Sequence, residues 1–486
     1  AGMFMDITGA FNKAFLAFSG LQEGQATPKV YHKYVEGFGT PNNEFYLDGV
    51  GLAPNETPFN FGFSTAAPGD LDIGIRYGIV LFVTRSGYIG GYGNLGIQFV
   101  DLLTADRTMI ISGIPTGPAN CVARILAFTQ AGASSAGPYF YIPNDDFVAG
   151  LNGAQDGNGN NITKTIINDN TTTFLEANFN DAFLVGATEV TEFADKIALP
   201  NQKSVYYSKT LRRLIWCGED DSTFRVSEVD DPETYMGTTG FCQPGLGDGG
   251  IPMTAREWRS EIYLFKDTGA YFVNDTDLTP AEWKTPERWT GLGPEGPWAI
   301  DTCEEFMAFA HRSGPHIFKG LGPEWIGYEV SGNVDNLPNW DRINWTYAHL
   351  IHVCIDDVNK VIKFGVPLDQ STKVSAELSC DHSLGWRNKR WSWAAIGAPR
   401  AINIKRVMAD SPNPGVDVDN RIKTSQVLYL SNNSDGLVLF EDPTSVTDNG
   451  SAIHQELQLA FSPPIKVPGI YTCANVDVAA KGAGMA

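Results

Sequence analysis

Short apolar runs broken by polar turns recur along the whole chain, and long helical stretches rich in Ala, Glu, Lys and Leu are missing. Near the start, Ala14-Phe15-Leu16-Ala17-Phe18 closes at Ser19-Gly20, and Val30-Tyr31-His32-Lys33-Tyr34 has period-two character. Both read as strands. Residues 37–70 are rich in Gly, Pro and Asn and read as a linker. The run Ile75-Arg76-Tyr77-Gly78-Ile79-Val80-Leu81-Phe82-Val83-Thr84 predicts a strong strand, turned by Arg85-Ser86-Gly87-Tyr88. Further strands are expected over 95–103, 108–114, 121–129 and 138–142, with a polar Gly/Asn loop over 152–161. Strands of this length, separated by turn signals, predict a small β-sandwich over 71–190.

From residue 203 to 440 the pattern becomes repetitive. Groups of short strands open near 205, 251, 298, 345 and 402, each containing a Gly or Asp/Asn turn such as Lys266-Asp267-Thr268-Gly269 or Asn433-Ser434-Asp435-Gly436. The groups recur roughly every 40 to 50 residues, the period of propeller blades. The expected fold class is therefore all-β: a β-propeller with an inserted β-sandwich and a short C-terminal β segment. Residues 1–70 would add strands to the propeller and a linker, 71–190 the sandwich, 191–445 the blades and 446–486 the final segment. Within that last part Gln455-Glu456-Leu457-Gln458-Leu459-Ala460-Phe461 alternates until Pro463-Pro464, and 471–478 is a further expected strand. A string of separate sandwiches is the competing architecture.

Composition narrows the function. At 486 residues the chain is too long for one compact core. The formal net charge of −21 repels phosphate, and gripping nucleic acid needs clustered cations. The basic spots, Leu211-Arg212-Arg213 and Arg387-Asn388-Lys389-Arg390, sit in strand-like runs and read as solvated edges and turns. Cys121, Cys217, Cys242, Cys303, Cys354, Cys380 and Cys473 are odd in number and form no CxxC pair, which disfavours a disulfide framework or a zinc site and suits a reducing cytoplasm. No stretch approaches eighteen apolar residues, so no membrane span is expected. Residues 1–10 lack the basic and apolar regions of a signal peptide, and position 1 is Ala, so the chain reads as processed or as part of a longer product.

Candidate chemistry is sparse. His349 and His352 lie in an apolar, strand-like run, where a spacing of three points them to opposite faces and rules out joint chelation. His311 and His316 flank a turn without an evident third ligand. Asp156, Asn158 and Asn160 resemble the opening of a calcium loop, but Asn161 and Ile167 stand where that loop needs Gly and Glu. The pairs Asp145-Asp146, Asp220-Asp221, Asp230-Asp231, Glu304-Glu305 and Asp356-Asp357 read mostly as turns, whereas a glycosidase needs two carboxyls facing each other. Gly245-Leu246-Gly247-Asp248-Gly249-Gly250 precedes no helix and reads as a turn. Neither a GxSxG elbow nor a GxxxxGK[ST] loop is present. Tryptophans crowd into the second half, from Trp258 and Trp283 through Trp289, Trp298, Trp325, Trp340, Trp345 and Trp386 to Trp391 and Trp393. They would serve either as packing or as a sugar-stacking platform, and packing is favoured. No catalytic residue, cofactor-binding residue or metal ligand is assigned, and the chain is expected not to be an enzyme.

Several stretches together resemble a family of phage virion proteins, the tail-nozzle and tail-hub β-propeller proteins of short-tailed phages. Lys13-Ala14-Phe15-Leu16-Ala17-Phe18-Ser19 and Pro28-Lys29-Val30-Tyr31 resemble opening propeller strands of that family. Residues 79–88 and Ile114-Pro115-Thr116-Gly117-Pro118, leading into Val122-Ala123-Arg124-Ile125, resemble its fibronectin-III-like insert. Arg213-Leu214-Ile215-Trp216, Asp231-Pro232-Glu233-Thr234 and Glu261-Ile262-Tyr263-Leu264-Phe265-Lys266 are similar to its blades. The resemblance implies a structural virion protein, assembled in the host cytoplasm as a homo-oligomeric ring of six around the DNA channel. Its partners would be other tail or portal-adaptor proteins, with genomic DNA passing without sequence-specific binding. The acidic charge would let DNA slide during ejection. The alternative function is a carbohydrate-binding or glycan-cleaving β-propeller acting in receptor recognition.

Overall fold

The computed structural model describes residues 4–19, 27–33, 44–64, 69–104, 107–143, 163–191, 195–218, 223–332, 339–357 and 359–395, with the strands at 400–405, 425–430, 438–440, 447–448 and 451–452. It is nearly all β, built from antiparallel sheets laid down in series along the chain. The first sheet runs in order β1 (Phe4–Ala10), β2 (Lys13–Ser19), β3 (Lys29–Lys33) and β4 (Phe45–Gly49).

A two-sheet unit follows. Its strands are β5 (Asn60–Phe63), β6 (Gly74–Thr84), β7 (Gln98–Leu102), β8 (Met109–Ser112), β9 (Cys121–Phe128), β10 (Phe140–Tyr141), β11 (Ile166–Ile167), β12 (Phe174–Ala177) and β13 (Thr188–Glu189). One sheet has the order β13-β10-β9-β6-β7, with β11 also on β9, and the other has β12-β8-β5. Val80, Leu126 and Phe128 from the first meet Met109, Ile111 and Ala177 from the second in one core. The single α-helix among the described residues, α1 (Asp181–Val185), starts where the Asn180 side chain accepts a bond from Phe183 N at 2.9 Å.

Four more four-stranded sheets come next. The second holds β14 (Gln202–Ser208), β15 (Arg213–Gly218), β16 (Phe224–Val226) and β17 (Phe241–Cys242). The third holds β18 (Pro252–Trp258), β19 (Glu261–Lys266), β20 (Gly269–Phe272) and β21 (Glu287–Thr290). The fourth holds β22 (Ile300–Thr302), β23 (Met307–His311), β24 (Gly314–Phe318) and β25 (Pro323–Trp325). The fifth holds β26 (His352–Asp356), β27 (Val361–Val366), β28 (Ala376–Asp381) and β29 (Arg390–Ala395). A sixth sheet of β30 (Arg400–Lys405), β31 (Ser425–Leu430) and β32 (Val438–Phe440) and a small pair, β33 (Thr447–Asp448) with β34 (Ser451–Ala452), complete the described strands.

Alternation along the second strands explains their unbroken apolar runs, because a strand buried on both faces has no polar side. Leu214 and Trp216 face the first sheet, where they meet Phe15, Ala17 and Val30. Their neighbours Ile215 and Cys217 face the third sheet, against Ala255, Ile262 and Leu264. Tyr263 and Phe265 turn the other way to meet Met307 and Phe309 of the fourth sheet. Ala308 and Ala310 then pack on Val353, Ile362 and Phe364 of the fifth. From the first sheet to the fifth, each pair of successive sheets is therefore joined by its own core. The first strands also adjoin in order: β1 with β14, β14 with β18, β18 with β22, β22 with β26 and β26 with β30.

Three local expectations change. The segment read as a linker contributes β4 and β5, whose short runs do not stand out among Gly, Pro and Asn. The expected strand from 345 begins only at His352, because residues Trp345–Leu350 form 3-10 turns opened by the Asn344 side chain, which accepts from Thr346 N. The groups opening near 205 and 251 each gain an outer strand, β17 and β21, not anticipated from sequence. The Gly/Asn loop with Asp156, Asn158 and Asn160, the pairs Asp145-Asp146 and Asp220-Asp221, and the expected strands at 455–461 and 471–478 lie outside the described residues.

Candidate functional site

The strongest concentration of buried polar groups lies where the first strands converge. Asp6, on β1, is 3% exposed. Its Oδ2 accepts from Ser204 Oγ at 2.8 Å and from Val205 N at 3.2 Å, both on β14. Its Oδ1 accepts from Trp298 Nε1 at 2.9 Å, at the entry to the fourth sheet. Ser204 Oγ also lies 3.1 Å from Thr254 Oγ1 on β18. The carboxylate thus links the first sheet to the second and to the entry of the fourth, and Ser204 extends the link to the third. Next to it, Asp301 Oδ2 accepts from Ile355 N at 2.8 Å and ties the fourth sheet to the fifth. Buried polar groups of this kind are stabilising only when satisfied, and these are.

A second cluster fastens the two-sheet unit to the series. The turn after β6 places Arg85 and Ser86 between the first and second sheets. Arg85 makes a two-pronged contact with Asp48, Nε to Oδ2 at 2.8 Å and the second guanidinium nitrogen to Oδ1 at 2.7 Å, and lies over the Tyr46 ring. His32 Nε2 adds a 2.8 Å contact to the same carboxylate. Ser86 Oγ donates to Glu233 Oε2 at 2.8 Å, while Lys13 Nζ reaches Glu233 Oε1 at 2.5 Å and Ser86 O at 2.8 Å. Burial pushes the Glu233 carboxyl up against the pull of Lys13. Burial works in the same direction on Asp48, but the bonds from His32 and Arg85 outweigh it and hold that carboxyl below its ordinary value. A lowered carboxylate pKa contributes stability at neutral pH that is lost as pH falls through the folded-state value. In Asp48→Asn the stability is therefore expected to fall less steeply below about pH 4 than in the parent. Urea unfolding over a pH series measures this, and equal slopes would remove Asp48 from the account.

The third feature is a small cleft of about 100 Å³ between the fourth and fifth sheets, lined by Cys303, Glu304, Glu305, Phe306, Asp357, Lys360 and His382. Lys360 Nζ pairs with Glu305 Oε1 at 2.9 Å. The His382 ring stacks on Trp386 with centroids 4.3 Å apart and meets the Phe306 edge at 5.4 Å. Burial pushes the Cys303 thiol up, and burial with the nearby Lys360 pushes His382 down. Both shifts run against the thiolate–imidazolium couple of a cysteine nucleophile.

The residues singled out from sequence are dispersed. His311 Nδ1 contacts Ser313 Oγ in the turn after β23, His316 Nδ1 contacts Gly314 O along β24, and burial pushes both imidazoles down. His352 heads β26 while His349 sits on the preceding 3-10 turn, so the pair does share no strand. Asp230 pairs with Arg212 of another turn, Asp231 braces Thr234 at 2.5 Å within its own turn, and Asp356, at the end of β26, holds Asn359. In the glycine-rich connection Asp248 accepts from Lys266 Nζ at 2.8 Å and from Tyr271 Oη. Of the basic spots, Arg213 donates to Ser227 O at 2.7 Å and Lys389 pairs with Glu329 at 2.9 Å. Trp216, Trp258, Trp283, Trp289, Trp298 and Trp340 are buried, most of them at sheet junctions, while Trp325 and Trp393 are exposed. Cys121, Cys217, Cys242, Cys354 and Cys380 are buried free thiols, and burial pushes Cys242 and Cys380 up to about 12. Cys473 lies outside the described residues. No helix among the described residues is long and apolar enough to cross a membrane.

Sequence reasoning missed Asp6, Asp48, Glu233 and Lys13. The available signal was a lone charge inside or beside an apolar strand, as in Phe4-Met5-Asp6-Ile7, which predicts a buried and partnered group.

No family model and no curated protein matches this chain. Among solved structures, a mutant NanB sialidase from Streptococcus pneumoniae is 10% identical over 89% of this chain, with a TM-score of 0.30. A prolyl endopeptidase is 9% identical over 88% of this chain, with a TM-score of 0.21. This chain spans 65% of the first and 53% of the second, less than two-thirds of either.

Proposed function

We propose that the chain is a non-enzymatic structural component of a bacteriophage tail: a β-propeller with a fibronectin-III-like insert, assembled as a nozzle or hub ring of six around the DNA channel. The observation that carries this reading is the way polar groups are used. At the sheet junctions and at the insert, carboxylates, cations and hydroxyls are engaged with one another, as at Asp6 and at the Lys13–Glu233–Ser86 cluster. Such satisfied buried networks rigidify a scaffold and leave its surface to make contacts. The tryptophans support the same reading, since most lie inside junctions where they add packing area. The formal charge of −21 suits a wall past which DNA slides.

Two measurements test the proposal. Cryo-electron microscopy of an assembled particle is expected to show density for this chain repeated around the tail axis. The purified protein is expected to form a ring by mass measurement and to leave duplex DNA unretained, with a dissociation constant weaker than about 10⁻⁴ M at physiological salt. A protein that stays monomeric at every concentration and is absent from the tail sinks the reading. Turnover or tight capture of a glycan would favour the receptor-recognition alternative.

A further inference from the structure

The larger sheet of the two-sheet unit ends at an open strand. Strand β7 is last in the order β13-β10-β9-β6-β7, and among the described residues nothing pairs with its outer side. Strand β5 runs beside it at the margin but belongs to the facing sheet, where it pairs with β8. One alternation of β7, Val100 and Leu102, is buried, Leu102 in the core between the two sheets. The other alternation faces out. Register sets Phe99 beside Tyr77 and Asp101 beside Ile75 of β6, and the same alternation leads on to Ile73 and Leu103. Ile73 is 57% exposed, Ile75 40%, Phe99 66% and Leu103 78%. Further along this face Ile79, Leu81 and Val83 are buried in a cluster with Tyr139, Ile89 and Tyr92. That cover stops short of Ile75 and Phe99, so an apolar surface and a free strand edge coincide.

Charge decides what fits there. Between residues 51 and 104 the carboxylates are Glu56, Asp70, Asp72 and Asp101, and the cations are Arg76 and Arg85 alone. Both arginines are engaged, Arg76 with Asp181 and Arg85 with Asp48. Asp101 stands exposed between Phe99 and Leu103, and its neighbour across the sheet is the apolar Ile75. A second copy would bring the same acidic strand and the same net charge of −21 to the contact, which like-charge repulsion disfavours. A strand added beside β7 sets one outward residue next to Phe99 and the following outward residue, two positions away, next to Asp101. An apolar side chain suits the first place and Lys or Arg the second.

We propose that β7 accepts an added strand: an extended segment of another protein in which an apolar residue and a Lys or Arg stand two positions apart. Main-chain bonds to the open edge hold the segment, and its alternate side chains select it. The contact does not depend on where the protein resides, so its failure would leave the tail proposal standing.

Fluorescence anisotropy tests this with the full chain and a labelled peptide, Lys-Thr-Phe-Thr-Lys-Thr-Phe. A second peptide, Lys-Lys-Phe-Phe-Thr-Thr-Thr, has the same composition and charge without the alternation. The alternating peptide is expected to bind at least about fivefold more tightly than the second. Phe99→Thr should remove that preference, and Asp101→Lys should transfer it to Glu-Thr-Phe-Thr-Glu-Thr-Phe. Both side chains are exposed, so both variants are expected to keep the parent's circular dichroism. Should either lose it, the two lysine peptides compared on the parent decide. Equal affinity for those peptides overturns the inference, because it reports bulk charge alone. So does the absence of binding at about 1 mM peptide, or a preference for the lysine peptide that survives either substitution. Self-association of the parent that Phe99→Thr abolishes would assign the edge to a second copy and overturn it too.

Discussion

Replacing Asp6 by Ala is expected to destabilise the protein by about 3–5 kcal/mol, the range for breaking a buried charged network by removing one partner. The carboxylate receives Ser204 Oγ, Val205 N and Trp298 Nε1. Deleting it leaves a backbone N–H and an indole N–H without their acceptor, and each orphaned buried donor costs about 1–3 kcal/mol. Asn is a poor substitute, because its amide would present a donor where the carboxylate presents only acceptors. Asp6→Asn should therefore fall within about 1–2 kcal/mol of Asp6→Ala. Chemical denaturation followed by tryptophan fluorescence reads the difference. A loss below about 1 kcal/mol in both variants would show that the sheets hold together without the shared carboxylate.

Trp216→Ala is the other large effect. The side chain is fully buried, meets Phe15 edge-on at 6.5 Å and donates from Nε1 to Tyr235 Oη at 2.6 Å. Truncation opens a cavity between the first and second sheets and is expected to cost about 3–5 kcal/mol. Trp216→Phe keeps most of the apolar volume and loses the indole donor, so about 1–2 kcal/mol should be lost. Native-state hydrogen exchange supplies the spatial control. Protection should fall first in β2 and β15, on either side of the cavity, and last in β27 and β28. Uniform loss across all sheets would mean that the series unfolds as one unit.

The strand runs were legible because each is a local pattern. Arg213-Leu214-Ile215-Trp216-Cys217 and Glu261-Ile262-Tyr263-Leu264-Phe265 are apolar at every central position, and the structure places both as second strands buried on two faces. The outer strands were harder. Phe241–Cys242 and Glu287–Thr290 are short, and β21 keeps only Trp289 buried, so no apolar run announces them. Trp345–Leu350 misled because its composition favours a strand while the Asn344 side chain starts a turn. The fastening between the insert and the first two sheets was not legible at all. Arg85 meets a residue 37 positions away and Ser86 one 147 positions away.

By itself the sequence determined the all-β class, the serial grouping of strands and the acidic charge, since these follow from alternation, turn chemistry and composition, which act over a few residues. Only the tertiary structure decided which isolated charges are anchors, which tryptophans are sealed and which sheet faces meet. Those outcomes depend on pairing between residues hundreds of positions apart, as Asp6 with Trp298, and on the desolvation that such pairing imposes.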